Sequence, residues 1–202
     1  MAEILIFNAS PRAPRSNSRL YAEIFTKVCR IKTEYFNITK TNHIELCGKV
    51  NGFSDLLFVF PLYADGIPAT LLNFLKSLET NPPGEKPVIS VLVNCGFLEP
   101  SQNDTAVEMI RLFCRQNGYR FGSALEIGGG EALPATPFMR LTARKIKKLA
   151  ECITAGKHRI LHTTMPLPKR LFVKASVSYW VNYGKKSGIS EEEMRTLRIE
   201  GK

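Results

Sequence analysis

Leu56-Leu57-Phe58-Val59-Phe60 is an unbroken apolar run that stops at Pro61. A strand buried on one face alternates apolar with polar residues. A run without alternation belongs to a strand covered on both faces, as in a parallel sheet. The chain repeats this signature in Ile4-Leu5-Ile6-Phe7 and, broken only by Ser90, in Val88 to Val93; Phe121 to Ile127 is read as a fifth strand, and Thr33 to Ile38 is a further candidate. Between the runs lie apolar residues at helical spacing. Leu20, Tyr21, Ile24, Phe25 and Val28 predict a helix over about 18–30, and a short helix is expected around 42–50. Leu71, Leu72, Leu75 and Leu78 follow Pro68, and Ala106, Ile110 and Phe113 mark a helix over about 102–117 that Gly118 stops. Strand then helix, five times over, predicts an α/β domain in which helices cover both faces of a parallel sheet. The 202 residues suffice for one such domain with a single core.

The last third of the chain reads differently. Residues of about 138–156 form a basic amphipathic helix that completes the helical layer. Met165-Pro166-Leu167-Pro168 is a rigid link, and Val173, Val177, Trp180, Val181 and Gly184 recur at helical spacing after it. Gly188 reads as a helix stop, and Ser190 with Glu193 as a capping box opening a short last helix. The organisation expected is therefore a domain over 1–160 and a helical extension over 161–202 that is not an independent domain. The extension's aromatic stripe reads as packing, with a dimer contact or a lid over the site as alternatives.

The net charge of +10 lies entirely in this part: residues 1–138 hold 13 basic and 13 acidic side chains, residues 139–202 hold 15 and 5. No nucleic-acid motif and no alternation of aromatic with basic residues accompanies the excess, so a solvated basic face is expected rather than a specific nucleic-acid site. The five cysteines are scattered, without a Cys-x-x-Cys pair, which fits a reduced cytoplasmic setting and leaves metal and iron–sulfur sites without their spacing. His43, His158 and His162 show no metal-ligand spacing either. No apolar run is long enough to span a bilayer, and no signal peptide is visible, so no membrane association is expected.

Three loops that begin at strand carboxyl ends are chemically distinctive, and ligands of open α/β sheets bind at that edge. Asn8 to Ser18 holds three serine hydroxyls, Arg12, Arg15 and Asn17 just before a helix start. Helix starts offer unpaired N–H groups and partial positive charge, which makes a phosphate site; Ser and Asn there are equally ordinary caps. Pro61 to Ala69 and Asn94 to Phe97 are the second and third. Gly128-Gly129-Gly130-Glu131 looks like a phosphate nest but reads as a tight turn. No Gly-x-Gly-x-x-Gly follows the first strand, which argues against a dinucleotide-binding fold of that kind.

Ser10-Pro11-Arg12, a spacer, then Ser16-Asn17-Ser18 resembles the phosphate loop of the flavodoxin-like NAD(P)H-dependent FMN reductase family, with Ala9 where that family commonly has Gly. Pro61-Leu62-Tyr63-Ala64-Asp65-Gly66-Ile67-Pro68-Ala69 resembles the family's Pro-Leu-Tyr-x-x-x-x-Pro-Ala segment, and Asn94-Cys95-Gly96-Phe97 is similar to its second ring loop. The resemblance covers about residues 3–135. It implies a flavodoxin-like three-layer α/β/α sandwich with a five-stranded parallel sheet in order 2-1-3-4-5, one FMN, and NAD(P)H as reductant. The implied phosphate site is Ser10, Arg12, Ser16, Asn17 and Ser18. The implied ring site is Pro61, Leu62, Tyr63, Ala64 and Asp65 together with Asn94, Cys95, Gly96 and Phe97.

Tyr63 would line the stacking face, and backbone N–H groups near Ala64–Gly66 and Cys95–Phe97 would stabilise charge on the reduced ring. A hydride would pass from nicotinamide to flavin N5 and on to a small-molecule electron acceptor, with no obligatory acid–base side chain, so no catalytic residue is named. Cys95 reads as a small buried residue rather than a redox group. Some relatives carry a cysteine cluster between strands two and three; only Cys47 lies there, against that branch. A homodimer is expected because a neighbour often completes the flavin site in this family. Two other readings stay open: a flavodoxin-type electron carrier, for which the chain is unusually basic, and a flavin-free interaction module on the same scaffold.

Overall fold

In the computed structural model, which describes residues 3–13 and 15–196, the first strand, β1 (Ile4–Asn8), pairs in parallel with strands on both sides. β2 (Thr33–Asn37) lies on one flank and β3 (Asp55–Pro61) on the other, followed by β4 (Val88–Asn94), β5 (Phe121–Ile127) and β6 (Ile160–Thr163). Every ladder is parallel, and the order is 2-1-3-4-5-6. The expected five strands are thus six. β6, whose residues fall at the head of the expected extension, is a four-residue edge strand, half exposed and carrying His162, so it lacks the continuous apolar run of a central strand. The chain leaves β1 toward β2, then reverses to β3, so its direction switches between β1 and β3.

The helices are α1 (Asn17–Val28), α2 (His43–Lys49), α3 (Ala69–Thr80), α4 (Asp104–Gln116) and α5 (Met139–Thr154). A 3₁₀ turn (Pro100–Asn103) precedes α4, so the helix expected from about 102 begins at Asp104. One sheet face, with Leu5, Phe7, Phe58, Phe60, Val91 and Val93, packs on Phe74 of α3 and Ile110 of α4. Phe7, Phe58 and Phe74 meet ring to ring at centroid distances of 5.2–6.3 Å. The alternate residues Ile4, Ile6, Leu57, Val59, Leu92 and Ile127 point the other way, toward the side of α1 and α5, which pack on one another. Each fully buried large side chain contributes roughly 1.5–3 kcal/mol of transfer free energy, and this two-sided core holds the loop-bearing edge in register.

The chain divides into two compact units, Met1–Met165 and Pro166–Lys202. The second contains α6 (Lys169–Lys186) and α7 (Glu191–Arg195). Ser190 Oγ accepts from the Glu193 N–H, and the Glu193 carboxylate accepts from the Ser190 N–H, the capping box read from the sequence. Gly188, at φ 77°, follows the end of α6. Gly184 lies against Met194, where α6 meets α7. Val173, Val177, Tyr179, Trp180 and Tyr183 are exposed on α6, and the rings of Tyr179, Trp180 and Tyr183 lie against one another. Among the described residues, no helix is long and apolar enough to cross a membrane.

Candidate functional site

The loops after β1, β3, β4 and β5 share the carboxyl edge of the sheet. Asn8, the last residue of β1, is fully buried. Its Nδ2 lies within hydrogen-bonding distance of Tyr35 Oη (2.9 Å), Asn37 Oδ1 (3.1 Å) and Ser16 Oγ (3.4 Å), and its Oδ1 accepts from the Ser10 N–H. This network fixes the exit of the chain from the sheet.

Ser16 caps α1 in extended backbone conformation, its Oγ accepting from the Arg19 N–H at 3.2 Å. Ser10 Oγ accepts from the Arg12 N–H, and Ser18 Oγ from Asn94 Nδ2. All three hydroxyls therefore accept a bond, and none donates one among the described residues, so each O–H proton remains available to an anion. The N–H groups of Asn17 and Ser18, at the open end of α1, also have no partner among the described residues. The first turn of α1 holds no acidic residue, although a carboxylate is the usual complement of a helix N-terminus. Arg12 and Arg15 are exposed and form no ion pair among the described residues. Five donors and two guanidinium groups with no internal acceptor suit an external phosphate.

The β4 and β5 loops wall this cradle. Asn94 uses both its amide protons, on Ser18 Oγ (3.2 Å) and the Phe60 carbonyl (3.1 Å). Asn17 Nδ2 donates to the carbonyls of Gly130 and Glu131, both at 3.1 Å, and the buried Tyr21 hydroxyl donates to Gly130 at 2.6 Å. Burial pushes the Tyr21 phenol far up. A Cβ on Gly130 would stand 2.8 Å from Asn94 Cβ, and one on Gly128 would run into the Leu98 carbonyl. The Gly128–Glu131 turn is glycine-rich because two loops meet there backbone to backbone. The sequence reading placed this turn outside the site and did not include Asn8, Tyr21 or Gly130; the only signal was three glycines directly after a strand.

The β3 loop is a different construction. Tyr63 and Gly66 exchange two backbone bonds (3.0 and 3.1 Å), and the two residues between them, Ala64 (φ 47°) and Asp65 (φ 59°), are both left-handed. This is a two-residue hairpin of type I′, usually built from Asn and Gly. The turn residues are Ala64 and Asp65, and Gly66 closes the hairpin. Left-handed Ala stores roughly 1–2 kcal/mol. Pro61 and Leu62 are half-buried, Leu62 packs on the core, and its N–H donates to the Asn94 carbonyl at 2.7 Å. The Tyr63 ring, 53% exposed, and the Phe97 ring, 52% exposed, stand open at this edge.

Two expectations need correction. The N–H groups of Cys95 and Gly66 are already bonded, to the carbonyls of Ile127 and Tyr63, so neither is available to a ligand. Those of Ala64, Asp65, Gly96 and Phe97 are unpaired among the described residues. Cys95 also gives its carbonyl to the Gly130 N–H, and its buried thiol faces Asn103 Nδ2 (3.4 Å) and the Phe97 carbonyl (3.5 Å). Burial pushes this thiol's pKa up, against thiolate chemistry. Cys95 holds the loop and offers a ligand no polar group. Asn17 and Asn94 likewise have their amide protons engaged within the chain, which leaves Asn17 its main-chain N–H.

No family model and no curated protein matches this sequence. Solved structures do match its backbone. An NAD(P)H:quinone oxidoreductase from Methanothermobacter marburgensis aligns over 76% of this chain and 97% of its own at 14% identity, with TM-score 0.58. An FMN-dependent NADH-azoreductase from Bacillus anthracis str. Ames Ancestor, in complex with FMN, aligns over 76% and 99% at 14% identity, with TM-score 0.54. A flavodoxin of Streptococcus pneumonia TIGR4 aligns over 77% and 99% at 12% identity, with TM-score 0.54. With the parallel sheet and its switch between β1 and β3, these alignments give the chain a flavodoxin-like α/β fold that carries a sixth strand.

Proposed function

We propose that this chain binds FMN at the carboxyl edge of its sheet and works as an NAD(P)H-dependent oxidoreductase on a small-molecule electron acceptor. One observation carries the reading: at the switch between β1 and β3, the opening of α1 presents three hydroxyl protons, two N–H groups and two arginines without a partner among the described residues, and its first turn holds no acidic residue. A phosphate monoester fits that donor set. Solved structures with this fold include NAD(P)H- and FMN-dependent reductases, which supports the same reading.

Ser10, Ser16, Ser18, Arg12 and the N–H groups of Asn17 and Ser18 would hold the phosphate. The Tyr63–Gly66 hairpin and the Gly96-Phe97 segment would border the ring. Their unpaired N–H groups at Ala64, Asp65, Gly96 and Phe97 are fixed donors toward ring heteroatoms. Tyr63 and Phe97 would screen the ring from water. When bound, FMN supplies acceptance of a hydride from a reduced nicotinamide and its release to the acceptor; the chain supplies position and polarity. Homodimer formation belongs to the same proposal and is read by light scattering.

The deciding experiment is an absorbance spectrum after FMN is added and the excess removed. Retained visible bands that bleach with NADH or NADPH are expected. Retained bands that neither nucleotide bleaches would favour a flavodoxin-type carrier, and a colourless protein would return the loop to a plain helix cap.

A further inference from the structure

A second cluster lies away from the cradle, where β5, β6 and the start of α4 meet. Glu126 on β5 is 2% exposed, and its Oε2 is buried with no hydrogen-bond partner. His162 is its register partner on β6, with Nε2 3.4 Å from that oxygen. Asp104, the first residue of α4, brings a second carboxylate. One ligand atom from each of the three lies within 4.8 Å of the other two.

A buried carboxylate oxygen without a hydrogen-bond partner is costly, and among the described residues only the His162 imidazole lies at ion-pair distance from it. No Lys or Arg forms an ion pair with Asp104 or Glu126 among the described residues. Arg111, whose charge acts on Glu126 from beyond ion-pair distance, lies over the Phe121 ring at 4.9 Å and against Glu108 at 3.1 Å.

We propose that Asp104, Glu126 and His162 bind a divalent transition-metal ion such as Zn²⁺, with water completing its coordination on the exposed side between Asp104 and His162. A tetrahedral ion with bonds of about 2.0–2.2 Å sets its ligand atoms roughly 3.3–3.6 Å apart, which the Glu126–His162 separation of 3.4 Å already matches. One imidazole with two carboxylates suits zinc, manganese or iron and disfavours the thiolate-seeking ions. The ion would tie the edge strand β6 to the head of α4. It would thereby anchor the Asn94–Glu99 loop, whose exit runs through the 3₁₀ turn into Asp104. This inference does not rest on the flavin reading and is tested without FMN.

The test uses the full chain, stripped with a chelator, dialysed and titrated calorimetrically with Zn²⁺ alone. One ion per chain is expected. Glu126→Gln and His162→Ala should each weaken binding by at least about 100-fold, beyond the 10- to 100-fold typical of losing an outer-shell partner. Both should fold: Gln is an uncharged isostere, and the His162 side chain is 52% exposed. His158→Ala, whose imidazole contacts the Phe121 carbonyl instead, should leave the affinity unchanged. Co²⁺ substituted for zinc should give d–d bands with no thiolate charge-transfer band, which separates this site from binding at Cys95. Absence of stoichiometric binding by the wild-type chain, wild-type affinity in Glu126→Gln or His162→Ala, or a thiolate band would each overturn the proposal.

Discussion

The cradle at the head of α1 and the hairpin after β3 border the same candidate site, yet they are held in opposite ways. The cradle is fixed from outside. Asn8, Asn17, Tyr21 and Asn94 tie it to β2, to the β5 turn and to the ends of β3 and β4, mostly through buried groups. The hairpin is fixed from within, by two backbone bonds and two left-handed residues, and its aromatic ring stands in solvent. A phosphate needs donors held still before it arrives, because preorganised dipoles do not have to reorient. A flat ring that must also admit a second flat molecule needs an edge with few neighbours. Substitutions in the cradle should therefore cost stability and binding together, whereas substitutions in the hairpin should separate them.

The largest expected effect is Ser18→Asp. A carboxylate placed about 4 Å from a phosphate charge costs about 4 kcal/mol at an effective dielectric of 20, roughly a 1000-fold loss of FMN affinity. Fluorescence titration with FMN checks it, and unchanged affinity would remove the phosphate from this loop. Gly130→Ala comes next. Its new Cβ would press on Asn94 Cβ 2.8 Å away, in a side chain whose two amide protons are both engaged. Overpacking of this kind costs about 1–3 kcal/mol, read by urea denaturation, and FMN affinity should fall with it. Tyr21→Phe removes one of the two bonds to the Gly130 carbonyl and leaves that of Asn17. The expected loss is about 0.5–1.5 kcal/mol, with a correspondingly smaller effect on binding.

Much of this contrast was beyond reach of the sequence, for a physical reason. Apolar runs located β1, β3 and, around Ser90, β4, because a strand covered on both faces is mostly apolar, whereas β5 was read despite Ser123 and Glu126. β6 escaped because an edge strand faces solvent on one side and tolerates His162 in its middle. The site loops were legible as polar stretches after strands. What each polar group does was not. Cys95, Asn94 and Asn17 have the chemistry of ligand-binding residues, but their donors are engaged inside the chain. Ser10, Ser16 and Ser18 look like ordinary caps, yet keep their protons free. A sequence shows which donors exist; only the folded partners show which remain. Asp104, Glu126 and His162 were invisible for a related reason: parallel register and a helix start bring them together, and no spacing along the chain announces it.

The smallest effect, Ala64→Gly, separates the two regions most sharply. Ala64 sits at φ 47°, where an L side chain costs roughly 1–2 kcal/mol and glycine nothing. Against that relief stands the greater entropy of an unfolded chain carrying glycine, about 0.5–1 kcal/mol. The balance is a gain in stability of roughly 0–1.5 kcal/mol, visible as a small rise in the urea midpoint. Were the strained turn merely tolerated, flavin binding and turnover would be indifferent to the change or improve with stability. If the turn exists to hold the Ala64 and Asp65 N–H groups toward a ring, the freed backbone should bind FMN more weakly while the fold grows stronger, the trade expected where strain serves function. A cradle substitution cannot produce that opposition, since there the same bonds hold the fold and the donors.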